Sequence, residues 1–160
     1  MARQAKYGPY NYERKFAGRN YNFSATVDAF VQETQKRLRA VFIASTADLI
    51  EQIQTPVAKG GKMRVDTGFL RASGQYSFSG LPTGPARGDP DKQYKYDAIS
   101  QVDLVDLKIG QTIWFGWTAN YARIREAYDG FLISGIQNWQ SIVNRRCEQI
   151  KQRSPANRGK

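Results

Sequence analysis

The stretch Val65-Asp66-Thr67-Gly68-Phe69-Leu70-Arg71-Ala72-Ser73-Gly74-Gln75-Tyr76-Ser77-Phe78 is where the chain changes its hydrophobic period. Val65 to Gly68 reads as a turn-like approach. Beyond it Leu70, Ala72, Tyr76 and Phe78 alternate with Arg71, Ser73, Gln75 and Ser77, the period of two that marks a half-buried strand. Asp66 suits an Asx-type turn that accepts the backbone amides just ahead, and Gly68 suits a positive φ where the chain reverses. On this reading Leu70 anchors the strand in the core, and Arg71 faces outward toward a partner's carboxylate.

Upstream the period is helical. Ser24 serves as an N-cap with Asp28 in the first turn. Val27, Val31, Leu38, Val41, Phe42, Leu49 and Ile53 then recur at steps of three and four or their sums. Pro56 ends this helix at about Thr55, because the residue before proline is pushed out of the α region. Ala58-Lys59-Gly60-Gly61-Lys62 reads as a flexible linker. Residues 1–23 carry Tyr7, Tyr10, Tyr12, Phe16, Tyr21 and Phe23 among basic and small residues without either period, and are expected to form an extended arm.

Downstream, residues 79–97 are dense in glycine, proline and aspartate and predict a long loop. Val105, Leu107 and Ile109 alternate, and Gly110-Gln111 suits a two-residue hairpin with glycine first. The returning strand sets Ile113, Phe115 and Trp117 on one face, and Thr112, Trp114 and Gly116 on the other. Two tryptophans on opposite faces suggest one in the core and the other beneath a neighbour or the arm. A connector with a short helical turn spans Asn120 to Gly130. A last helix from about Phe131 carries Leu132, Ile136, Trp139, Val143, Cys147 and Ile150 on one stripe. The predicted fold is α+β: two long helices on a small antiparallel sheet of three strands. It comprises an arm (1–23), one domain (24–153) and a basic tail (154–160). The open sheet edges offer unpaired backbone groups to a neighbour.

Composition narrows the function. The chain has 160 residues, room for one ordinary domain. It has no histidine, which removes the commonest general base and excludes Ser–His and Cys–His nucleophile systems. Asp103 and Asp106, read on a strand, face opposite sides, and Asp89, Asp91 and Asp97 sit where turns favour aspartate. No catalytic residue, metal ligand or cofactor site is expected, and the chain is read as a non-enzyme. The single cysteine, Cys147, is read as a small core hydrophobe. No apolar run reaches about 18 residues, and the first residues lack a secretory signal, so maturation in a cytoplasm is expected. The net charge of +10 is concentrated at the two ends. Arg3, Lys6, Arg14, Lys15 and Arg19 lie in the first twenty residues, and six cations lie in the last twenty. Such ends are either solvated tails or contacts for something acidic, a nucleic acid or a protein surface. Basic residues interleaved with aromatics also suit single-strand stacking, so a nucleic-acid-binding module is the alternative reading.

The run Val65, Asp66, Thr67, Gly68, Phe69, Leu70, Arg71, Ala72, Ser73 resembles the hallmark of the tail-completion, or head–tail neck, proteins of long-tailed bacteriophages. That family shows an acidic–Thr–Gly–x–Leu–Arg–x–Ser run where the chain leaves its first long helix for a sheet. Tyr121-Ala122, followed by Glu126 and Gly130, is similar to the family's Tyr-Ala and acidic–Gly segment. The resemblance covers about residues 24–153, and the nine-residue run is its distinctive part. It implies a structural virion protein that self-associates as a cyclic, six-fold ring between portal and tail tube. The implied partners are portal-, adaptor- or stopper-side proteins, tail-tube-side proteins, and double-stranded DNA passing through the lumen. Assembly would take place in the bacterial host cytoplasm, with no membrane involved. Phe69, Tyr76 and Trp114 are candidate interface aromatics.

Overall fold

The computed structural model describes residues 12–100 and 103–153. Helix α1 runs over Tyr12–Gln54 and is followed by a short 3-10 turn at Val57–Lys59. Then come helix α2 (Phe69–Ala72), strand β1 (Gly74–Ser77), strand β2 (Trp114–Trp117), helix α3 (Ala122–Asp129) and helix α4 (Phe131–Gln152). The class is α+β, with long helices on a small antiparallel sheet. The chain divides into two compact units, Met1–Lys36 and Arg37–Lys160.

In the first unit α1 begins twelve residues before the predicted N-cap at Ser24, so Tyr12–Phe23 is helical and not an extended arm. Nothing in that stretch forbids a helix: it has no proline, and its one glycine costs only about 1 kcal/mol relative to alanine. From Ser24 to Lys36 every residue is exposed. Val27 and Val31, predicted to lie on a core-facing stripe, are therefore outside any core.

The second unit holds the core. The buried face of α1 is made by Ala44, Ala47, Ile50 and Ile53, and Met63, Leu70, Leu104, Leu107, Ala119, Phe131 and Ile142 complete it. Small residues let α4 come close to α1. A Cβ built on Gly135 of α4 would lie 2.1 Å from Ile53 Cγ2. Asp48 of α1 joins the same helices, accepting from Arg145 at 3.0 Å and from Arg146 Nε at 2.7 Å. Trp117 of β2 packs edge-on to Phe131 of α4, ring centroids 4.9 Å apart. The predicted stripe on α4 is rotated: Phe131, Gly135 and Ile142 are its buried residues, whereas Ile136 is exposed.

Three local expectations are corrected. Residues 57–63 form a tight turn, not a flexible linker: Val57 N donates to Met63 O at 3.0 Å, Gly60 N to Val57 O at 3.0 Å, and Met63 is fully buried. Phe69–Ala72 is a helical turn, so the strand starts only at Gly74. Lastly, the sheet has two strands, β1 and β2, paired antiparallel with Gly74 opposite Trp117 and Ser77 opposite Trp114.

The expected strand at 105–109 is a turn in which Leu104 and Leu107, three apart, are both buried while Val105 and Ile109 are exposed. Its carbonyls are not free for a ladder. Arg39 Nε donates to Leu107 O at 2.7 Å, and its Nη2 donates to Val105 O. Asp103 is occupied within the turn, accepting from both the amide and the hydroxyl of Ser100 at 2.7 Å. Gln111 N closes a further turn on Lys108 O at 3.1 Å, with Gly110 at φ 82°. Glycine thus occupies the second central position, where a positive φ is required, and not the first. The long loop stands: among the described residues no helix or strand lies between Ser77 and Trp114.

Candidate functional site

Residues 64–71, with Tyr121 and Arg125 some fifty positions further on, line one cleft of about 380 Å3. Its floor is built from the motif outward. The turn before α2 is closed by Thr67, not by the predicted Asp66, which is exposed. The Thr67 hydroxyl accepts from Phe69 N at 3.4 Å, and its carbonyl accepts from Tyr94 N at 2.8 Å. Gly68 takes φ 83°, as expected, and a Cβ there would stand 2.6 Å from the Tyr94 carbonyl oxygen. Tyr94 in turn packs against the Phe69 ring, centroids 5.0 Å apart. The long loop is thereby fastened to the motif.

Leu70 is buried, as predicted, in a cluster with Met63, Ala119 and Phe131, against which Phe69, Tyr121 and Ala122 pack. Ser73 is buried too. Its hydroxyl donates to Leu70 O at 2.8 Å and accepts from Ala119 N at 3.3 Å, while its carbonyl accepts from Thr118 N at 3.1 Å. The serine that ends the motif therefore ties it to the segment leading into Tyr121-Ala122. Burial pushes the Tyr121 hydroxyl above its ordinary range, opposed by a hydrogen bond with the Leu70 backbone.

Arg71 does not face outward. Its Nε donates to the Gln54 carbonyl at 2.8 Å, and its guanidinium lies 4.0 Å from the centre of the Tyr96 ring. It satisfies an end carbonyl of α1, one of the groups a helix leaves without an internal partner. Gln54 answers with its side chain. Nε2 donates to Arg71 O at 3.4 Å, and Oε1 accepts from Trp117 Nε1 at 3.3 Å. Fully buried, Gln54 is the hub joining α1, the motif and β2. Sequence reading passed over it, although a polar residue four after Ile50 on the buried face of a helix was a legible signal.

On the rim, Asp129 pairs with Arg125 at 2.5 Å and with Arg64 at 3.6 Å. Glu126 caps α4, accepting from Leu132 N at 2.8 Å and Ile133 N at 3.0 Å, and Gly130 between α3 and α4 takes φ 63°. This gives the acidic–Gly segment a structural duty. Among the described residues no three histidine, cysteine, aspartate or glutamate side chains are grouped to hold a metal ion.

Of the candidate interface aromatics, Phe69 and Tyr76 are half-buried, and the Tyr76 hydroxyl donates to Asp103 O at 2.9 Å. Trp114 is exposed, and Trp117 is half-buried and not fully in the core. Val65 is exposed on the rim of the cleft. Arg3, Lys6 and the tail 154–160 lie outside the described residues, and Arg14, Lys15 and Arg19 fall in the first turns of α1.

A second concavity, an apolar groove of about 450 Å3, is lined by Phe42, Leu49, Ile53, Ile113, Leu132 and Trp139, among others. Trp139, expected in the core, lines this open groove. No described helix is long and apolar enough to cross a membrane. Compared with protein-family models, with curated proteins and with solved structures, the chain matches none.

Proposed function

We propose that this chain is a structural virion protein of the neck or tail-completion region of a tailed bacteriophage, self-associating as a ring that joins head and tail around the DNA channel. One observation carries the reading. Of the two segments that resemble the neck family, Val65 to Arg71 and Tyr121 line one cleft, and Leu70 lies in one buried cluster against which Phe69, Tyr121 and Ala122 pack. Their side chains are spent on hydrogen bonds and packing: Arg71 on the end of α1, Ser73 on the segment before Tyr121, Leu70 on the core. A motif used this way shapes a subunit for assembly.

On this reading the partners are further copies of the chain, six to a ring, together with portal- or stopper-side and tail-tube-side proteins. Double-stranded DNA passes through the lumen, the basic ends contact either that DNA or acidic neighbouring proteins, and the finished location is the virion. The test is sedimentation and native mass measurement of the purified protein, alone and mixed with its portal-side or tail-side neighbours. A closed oligomer, or one induced by a neighbour, is expected. A protein that stays monomeric with every virion neighbour overturns the proposal. Tight, salt-steep binding of oligonucleotides by that monomer would instead favour a nucleic-acid-binding module.

A further inference from the structure

The turn that follows α1 carries charge that the fold does not use. Positions 52–65 hold Lys59, Lys62 and Arg64 and no anion. Lys59 and Lys62 are exposed, and among the described residues neither side chain has an ion pair or hydrogen bond. Arg64 lies 3.6 Å from Asp129, yet its side chain is 76% exposed, and Asp129 is held more closely by Arg125 at 2.5 Å. One carboxylate therefore stands against two guanidiniums, and the charge left over is positive.

These cations sit on a fixed frame. Val57 N donates to Met63 O at 3.0 Å, Met63 N to Thr55 O at 3.3 Å, and both Lys59 N and Gly61 N donate to Pro56 O, at 2.9 and 3.0 Å. Met63, between Lys62 and Arg64, is fully buried and anchors the turn in the core. Gly61 presses the two limbs together, since a Cβ there would lie 1.9 Å from Thr55 O. At Gly60, with φ 83°, a Cβ would meet nothing within 4 Å, so the tip stands open. A backbone ordered before binding loses less entropy on contact than a free tail does.

The chemistry of the turn selects its partner. Lysine is a compact point charge that suits phosphate oxygens. Residues 56–66 include no aromatic, whereas protein interfaces are enriched in aromatics and depleted in lysine. Single-strand sites, too, stack bases on aromatic rings. What the turn fits is the backbone of a duplex, where phosphate contacts position a protein without reading sequence. We infer that Lys59, Lys62 and Arg64 form a phosphate-backbone contact for double-stranded DNA, bound without regard to its sequence. The contact lies within one subunit and stands without a ring. On the neck proposal it is a part of the folded domain, apart from the basic ends, that meets the DNA.

The test follows binding of a labelled mixed-sequence duplex to the full chain by fluorescence anisotropy, over about 50–200 mM salt. Each neutralised phosphate adds about 0.9 to the fall of log K with log salt, so replacing Lys59, Lys62 and Arg64 together by glutamine should lower that slope by about 2 to 3. Lys59→Gln with Lys62→Gln, which leaves the Arg64–Asp129 pair intact, should lower it by about 2. Arg87, Lys95 and Lys108 are also exposed, and replacing those three by glutamine removes the same charge elsewhere and should leave the slope nearly unchanged. A slope that the turn substitutions do not lower, or that the control lowers equally, overturns the inference. So does polyglutamate that binds the parent more tightly than the duplex and is released by the turn substitutions, which would mark an acidic protein as the partner. A lowered slope in a protein that never forms a ring keeps this inference and defeats the neck proposal; a ring whose slope is unchanged does the reverse.

Discussion

Replacing Gln54 with leucine probes the hub directly. Leucine keeps most of the side-chain bulk and removes both polar atoms, so Trp117 Nε1 and the Arg71 carbonyl each lose a partner at a fully buried position. An unsatisfied buried group costs about 1–3 kcal/mol. The two bonds are long, at 3.3 and 3.4 Å, and the Arg71 carbonyl also lies within reach of Ser73 N. The low end therefore applies to each, and the expected loss is about 2 kcal/mol in all. With a urea m-value of about 2 kcal/mol/M, the midpoint falls by about 1 M. Far-UV circular dichroism is the suitable probe, because tryptophan fluorescence would report Trp117 itself. In a Trp117→Phe background the donor is already gone, so the cost of Gln54→Leu should shrink by about 1 kcal/mol, a coupling well above the additive error. If Gln54→Leu is as stable as the parent, or if its cost is the same in both backgrounds, Gln54 is not the link between α1 and β2.

Gly135→Ala should lower the melting temperature by a few degrees: about 1–3 kcal/mol of overpacking against Ile53 and Leu49 outweighs the helix-propensity gain of about 1 kcal/mol. A rise in melting temperature would mean that α1 and α4 are less closely packed. Ser45 is fully buried on α1, and among the described residues its hydroxyl has no hydrogen-bond partner. Ser45→Ala should therefore stabilise the fold by about 1 kcal/mol in the same urea titration, and destabilisation would refute this. Burial raises the Asp48 carboxyl, but the hydrogen bonds and charges of Arg146 and Arg145 outweigh it and hold the group below the ordinary value. A depressed carboxylate contributes stability that is present above the unfolded value of about 3.9 and lost as pH falls through the folded value. Asp48→Asn should thus cost about 1 kcal/mol near neutrality, a figure reduced because Arg145 is half exposed. In denaturation series across pH the difference from the parent should begin to shrink below about pH 4 and vanish only once the pH lies below the folded value, and a difference that does not decline with acidification would refute the assignment.

Sequence reading recovered the helices better than the strands, and particular residues show why. Phe131 to Gln152 announced itself because many apolar residues repeat one spacing, and an error of one residue merely rotates the stripe, as it did at Ile136. The C-terminal end of α1 was legible because Pro56 acts through local sterics. Its N-terminal end was not, because Phe16, Phe23 and Phe30 recur every seven residues, a pattern hidden among tyrosines and basic residues. The supposed strand at 105–109 failed for a tertiary reason. Arg39, sixty-six residues from Val105 and sixty-eight from Leu107, captures their carbonyls, and no local alternation records that capture. The false strand start at Leu70 has the same origin, since Arg71 and Ser73 have distant partners in Gln54 and Ala119.

The site follows the same division. Gly68 and Leu70 were placed correctly because a positive φ and an apolar anchor are local demands. Arg71 was turned the wrong way because alternation assigns a strand residue to a face, whereas a helical turn sends it back along the preceding helix. That reversal changes what the motif can do. An outward Arg71 would be an interface residue, removable with little loss to the isolated subunit. An inward Arg71, bonded to the last residue of α1 and stacked on Tyr96 of the loop, holds three segments in one geometry before any partner arrives. Its loss should then appear as lower stability of the isolated second unit, with assembly defects only as a consequence. The surfaces left for partners are those the motif does not use: the exposed stretch of α1, the apolar groove and Trp114.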